Sequence, residues 1–173
     1  MRLAMVPDPA ISLAGMPKVL VATDADWVFD EVEAALAEED TSVDRVNAGR
    51  DVLDTVADLD PDLVALDLQI GNMGGMASCM SLRLEEGAGR LRHRPVLMLL
   101  DRSDDVFLAK RSNAEGWIIK PLDAFRLRKA ATALLAGDTY QEGGGEAARA
   151  DAAIEQHRGP DWVGSQPAAP PLD

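Results

Sequence analysis

The chain has 173 residues, 47% of them apolar but only 4% aromatic, which suits one domain of Val/Leu strands packed on Ala-rich helices, with tails. A formal charge of −13 argues against a nucleic-acid binder, because each phosphate contact needs a local cation. One cysteine, Cys79, excludes an internal disulfide and a cysteine metal cluster, and the two histidines, His93 and His157, lie far apart in sequence. No apolar run is long enough to cross a bilayer, and Pro7, Asp8 and Pro9 interrupt any signal-peptide core, so the sequence reads as soluble and cytoplasmic. The one dense basic run, Arg90 to Arg94, reads as a solvated loop.

Residues 1–16 read as an irregular arm. From Lys18 the pattern becomes regular. "KVLVAT" is a short apolar strand, and the following "DADWVFDEVEAALAEED" sets Val28, Val32, Ala35 and Leu36 on one helical face with acids opposite. Asp24 or Asp26 is placed to cap that helix. "TSVDRV" is a second strand and "RDVLDTVADLD" a second helix, stopped by Pro61. "DLVALD" is apolar on both faces and therefore central. A third helix, "MASCMSLRLEE", a buried fourth strand, "PVLMLL", and a fourth helix, "DDVFLAKRSNA", come next. "GWIIK" is the fifth strand, and "DAFRLRKAATALLAG" the fifth helix, ended by Gly137.

Five strands alternating with five helices predict an α/β fold, a doubly wound five-stranded parallel sheet with helices on both faces. Ligands of such sheets sit outside the carboxyl ends of the strands. Thr23, Asp24, Asp67, Asp101 and Lys120 all fall at or just beyond strand ends, hence on one rim. Residues 17–137 make the domain. Residues 138–173, rich in Gly, Ala, Pro and acids, read as a tail in which Trp162 is a natural anchor for a partner.

The succession "KVLVATDADW", "PDLVALDLQIGNMGG", "RPVLMLL" and "GWIIKP" resembles the signatures of the response-regulator receiver domain of two-component signalling, in a stand-alone, degenerate form of actinobacterial type. The resemblance implies the flavodoxin-like receiver fold. It also implies that Asp67 stands where the family accepts a phosphoryl group from a histidine kinase, and that Lys120, followed by Pro121, stands where the family neutralises the acyl phosphate. Mg²⁺ would be held by an acidic pair, here Thr23 and Asp24, together with Asp67 and the Gln69 carbonyl. Trp117 stands at the family's switch aromatic, and Gly75 at the family glycine.

Several positions depart from the pattern. Thr23 brings no charge to a metal that prefers carboxylate and water oxygens, so Mg²⁺ binding is expected to be weak or absent. Leu100 replaces the switch Ser or Thr and cannot donate to a phosphoryl oxygen, a loss on the order of 2 kcal/mol. Asp101 stands where a small residue leaves room for the phosphoryl group; turned inward, it would pair with Lys120. Ser103 is an alternative hydroxyl if the loop is shifted. Gly71 and Gly74 replace a proline and an acid after Asp67.

Two readings stand. In the first, the chain is a pseudo-receiver: a non-enzymatic interaction module or accessory subunit docked on a larger assembly, with phosphorylation lost and no cofactor. Stand-alone receiver-like proteins of this type have been linked to the respiratory NADH–quinone oxidoreductase, which would put the protein at the periphery of a membrane-bound complex. In the second, it is a single-domain response regulator phosphorylated on Asp67 by a histidine kinase. Trp117, Lys110, Arg111, Arg126, Lys129 and Trp162 are the candidate contact residues. Trp27 reads as a partly exposed helix residue.

Overall fold

A computed structural model of the chain describes residues 16–37 and 41–143. The arm up to residue 15, and the tail from residue 144 with Trp162 and His157, lie outside the described residues. Five strands, β1 (Lys18–Ala22), β2 (Ser42–Val46), β3 (Leu63–Asp67), β4 (Val96–Leu100) and β5 (Gly116–Ile119), are joined by a short sixth, β6 (Tyr140–Gln141). All pair in parallel, in the order β2-β1-β3-β4-β5-β6. The crossovers carry helices α1 (Asp26–Leu36), α2 (Val52–Leu59), α3 (Gly75–Gly87) and α4 (Val106–Arg111), and α5 (Ala124–Leu135) links β5 to β6. No helix among the described residues is long and apolar enough to cross a membrane.

Every residue of β3 and β4 is buried, as continuous apolar runs covered on both faces require. The two-residue period of the strands divides the core. Leu20, Val64, Leu66, Met98, Leu100 and Trp117 face α2, α3 and α4, whereas Val19, Val21, Ala65, Leu97, Leu99 and Ile118 face α1 and α5. Val28, Val32, Ala35 and Leu36 form the buried face of α1, as their spacing predicts. Burying one such Val or Leu contributes about 1.5–3 kcal/mol.

The helix ends follow local chemistry, with two corrections. Asp60 adopts φ 51 at the end of α2, and Gly137 adopts φ 84 after α5. The Asp123 carboxylate accepts from the Arg126 amide and caps α5. Neither Asp24 nor Asp26 caps α1, whose N-cap is Ala25 without a side-chain bond. Asp26 instead pairs with Arg45 at 2.8 Å, and Asp24 reaches a loop described below. The fourth helix is shorter than its pattern suggests: a single 3₁₀ turn, Ser103–Asp105, precedes it, and Asn113 at φ 58 turns the chain out of it. Asn tolerates that left-handed conformation.

The sixth strand falls in the segment that reads as tail, so the sheet runs beyond Gly137. After that glycine the chain turns back, and Tyr140 and Gln141 pair with Gly116 and Trp117. A side chain at residue 116 would put its Cβ 2.9 Å from the Tyr140 carbonyl oxygen and 3.1 Å from Leu134. Gly116 therefore lets the last strand and α5 close over β5.

Candidate functional site

The carboxyl ends of β1, β3, β4 and β5 meet at one rim, where the parallel order brings the predicted residues together. Asp67 ends β3 and is 2% exposed. A carboxylate that deeply buried needs partners, and both of its oxygens have them. Oδ2 accepts from the Thr23 hydroxyl at 2.8 Å. Oδ1 accepts from Lys120 Nζ at 2.8 Å and from the Gln69 amide at 3.2 Å. Gln69 thus meets the site through its N–H. Thr23 is itself fully buried, and its Oγ1 accepts from the Ala25 amide at 3.2 Å.

Lys120 reaches the rim from just beyond β5, with its side chain 9% exposed. Its ammonium is shared: besides Asp67 it donates to Asp101 Oδ1 at 3.0 Å. Asp101 therefore does turn inward. The Trp27 ring, half exposed on the first turn of α1, lies 5.5 Å from the same ammonium, within cation–π range. Asp24 Oδ2 accepts from the Gly71 amide at 3.1 Å, which ties the segment after β1 to the glycine-rich loop after β3. A second tie comes from Gly49, whose amide donates to the Gly71 carbonyl at 3.0 Å.

Leu100 contributes nothing polar. Its side chain is fully buried in the core layer that also holds Trp117. Ser103 begins the exposed turn ahead of α4, and none of the hydrogen bonds on Asp67 or Lys120 comes from it. The Mg²⁺ that the family resemblance implies finds a poor donor set here. Both Asp67 oxygens are engaged by donors, Thr23 is neutral, and one Asp24 oxygen is held by Gly71. Among the described residues no group of three or more His, Cys, Asp or Glu side chains is arranged to hold a metal ion.

Two contact candidates change their meaning. Trp117 is 1% exposed, and its indole N–H donates to the Glu142 carbonyl at 2.7 Å, so it is core rather than surface. Arg126 is engaged internally by Asp123, Glu142 and the carbonyls of Ile119 and Pro121. The Asp123 contact raises the Arg126 pKa, and the hydrogen bond from Arg126 holds the Asp123 carboxyl below its ordinary range. Lys110, Arg111 and Lys129 remain exposed. The basic run Arg90–Arg94 is not a free patch. Arg90 pairs with Glu85, Arg92 with Asp60 at 3.3 Å, and Arg94 is buried against Asp60. His93 lies 2.9 Å from Glu86 and 3.4 Å from Glu115.

A parallel sheet with helices on both faces, an aspartate ending its third strand and a lysine just past its fifth together define the architecture of this rim. The model of the response regulator receiver domain family matches residues 19–132, and the chain belongs to that family. It is 32% identical over 106 residues to the DNA-binding response regulator MtrA of Mycobacterium tuberculosis, covering 60% of this chain and 44% of that protein. It is 29% identical over 104 residues to the nitrate/nitrite response regulator NarL of Escherichia coli, covering 60% of this chain and 47% of the relative. The match thus spans about half the length of these curated relatives. Among solved structures, the chemotaxis response regulator CheY4 of Vibrio cholerae superposes with a TM-score of 0.62 at 23% identity, over 69% of this chain and 98% of that one. The signal receiver domain of a histidine kinase from Syntrophus aciditrophicus gives 0.62 at 28% identity, over 72% and 92%.

Proposed function

We propose that this receiver domain works as a phosphate-independent protein-interaction module, with Asp67 serving as an ion-pair partner. The observation that supports this most is the shared ammonium of Lys120, which Asp67 and Asp101 hold at 2.8 and 3.0 Å. Phosphoryl transfer is mostly positioning and charge neutralisation. Here a phosphoryl group arriving on Asp67 would compete with Asp101 for the Lys120 ammonium. It would meet hydrocarbon at Leu100, and would have only Asp24 as a second metal acid. Mg²⁺ affinity is weak on this reading, no cofactor is needed, and the module carries out no reaction of its own.

The partner is a protein or a larger complex. On the resemblance read from the sequence, the respiratory NADH–quinone oxidoreductase is the first candidate, with the module held at the periphery of that membrane complex. Lys110, Arg111 and Lys129 are the exposed contacts that α4 and α5 offer. Nucleic acid is not proposed, because the net charge is −13 and the one dense basic run is paired with carboxylates.

The second reading keeps Asp67 as a phosphoacceptor for a histidine kinase. The retained triad of Asp24, Asp67 and Lys120 favours it. Gentle native purification of the intact chain and of Asp67→Asn separates the two. The module reading expects the same large partner in the same amount from both proteins. Association that requires Asp67 and rises with acetyl phosphate supports the regulator instead.

A further inference from the structure

The sixth strand and the residue after it put no side chain on Asp67 or Lys120. Glu142 lies just beyond β6, its side chain 16% exposed, and gathers four contacts. Its backbone carbonyl accepts from the Trp117 indole at 2.7 Å. Its Oε2 accepts from the Ile119 amide at 2.9 Å and from Arg126 Nη1 at 2.8 Å, and its Oε1 accepts from the Tyr140 hydroxyl at 3.1 Å. Arg126 completes the clasp from the other side. It donates through Nη1 to the Ile119 carbonyl at 3.2 Å, and through Nη2 to the Pro121 carbonyl.

These bonds bracket one residue. Ile119 is held at both its N–H and its carbonyl, and Pro121 at its carbonyl. The residue between them is Lys120, whose ammonium holds Asp67 and Asp101. We propose that residues 138–142 form a latch on the open edge of β5, and that Glu142 is a positioning residue which, with Arg126, sets the backbone from which Lys120 reaches the rim. The latch is small: two residues of strand pairing, one partly buried carboxylate, and a hinge at Gly137. Strand pairing this short is marginal alone, so the Glu142 carboxylate decides whether it stays closed. The state of the segment after α5 is thereby coupled to the Asp67–Lys120 pair through backbone contacts.

The test uses full-length chain labelled with ¹⁵N and three variants: Glu142→Ala, Glu142→Gln and Arg126→Ala. Exchange of the Trp117 indole N–H and the Ile119 amide reads the latch, and the Lys120 ammonium resonance reads the rim. Amides of Leu20 and Val64 report whether the core is intact. Glu142→Ala is expected to speed exchange at Trp117 and Ile119 at least tenfold and to shift or broaden the Lys120 ammonium signal, with Leu20 and Val64 unchanged. Arg126→Ala should move the same signals. Glu142→Gln, which keeps an acceptor for the Ile119 amide, should restore part of the Ile119 protection. Faster exchange at Trp117 with an unmoved Lys120 signal would overturn the positioning role. Variants indistinguishable from the parent, or a Trp117 indole already unprotected in the parent, would overturn the latch itself.

Discussion

The hydroxyl of Thr23 donates to Asp67 Oδ2 at 2.8 Å, so a neutral donor caps the oxygen that a second metal-binding acid would otherwise face. With Lys120 on the other oxygen, the carboxylate is balanced without a divalent ion. Replacing Thr23 by Asp would set two carboxylates against each other inside a buried site. The expected result is a lower melting temperature for Thr23→Asp in EDTA, largely recovered by millimolar Mg²⁺. The parent should show little Mg²⁺ dependence in the same scans.

The Asp67–Lys120 pair is asymmetric. If Lys120 is removed, a carboxylate with a 3% exposed side chain loses the only cation paired with it among the described residues. If Asp67 is neutralised, Lys120 still has Asp101. Lys120→Met is therefore expected to cost about 3 kcal/mol, in the range for breaking a buried pair, and Asp67→Asn about 1 kcal/mol. Urea titrations of the two variants check the order; equal costs would mean that Asp101 does not support Lys120.

A close backbone approach underlies the rim as well. A Cβ at Gly49 would sit 1.6 Å from the Met73 carbonyl oxygen and 2.9 Å from Ser78 Oγ. Backbone cannot give way as a flexible side chain does. Gly49→Ala should destabilise by at least the 1–3 kcal/mol typical, roughly, of overpacked sites, seen as a lowered urea midpoint. A variant as stable as the parent would contradict the close packing of the turn before α2 against the glycine loop.

Acid sensitivity should arise partly at the opposite end of the sheet. Burial pushes the Glu86 carboxyl up, but hydrogen bonds from His93, the Arg94 amide and Arg83 outweigh it and hold the pKa below the ordinary glutamate value. A lowered folded-state pKa adds stability that is complete above the unfolded value and is lost as pH falls through the folded one. Stability should therefore decline on acidification below the ordinary glutamate range, and Glu86→Gln should flatten that decline. Denaturation midpoints measured across the acid range provide the check.

Much of this was legible in the sequence because it rests on local periodicity. The five main strands, the buried face of α1 and the rim position of Asp67 and Lys120 all follow from where apolar runs stop. What escaped is long-range. The strand at Tyr140–Gln141 has no alternation of its own, and it exists because Gly116 leaves room and Glu142 finds Arg126 and Ile119. Its one signal was the chain's single tyrosine, two residues ahead of an acid. Asp24 reads as a helix cap from its spacing, yet the Gly71 amide, 47 residues away, takes its carboxylate. Arg126 reads as a candidate contact residue because, besides the nearby Asp123, its partners are backbone carbonyls and an acid from another element.

The reading of Asp67 as a structural acid is tested most directly by titrating the intact chain with beryllofluoride in millimolar Mg²⁺, following the amide resonances of Asp67, Leu100 and Lys120. The account predicts spectra unchanged from those with Mg²⁺ alone. A saturable shift at these residues that disappears in Asp67→Asn would contradict it and restore Asp67 as a phosphoacceptor.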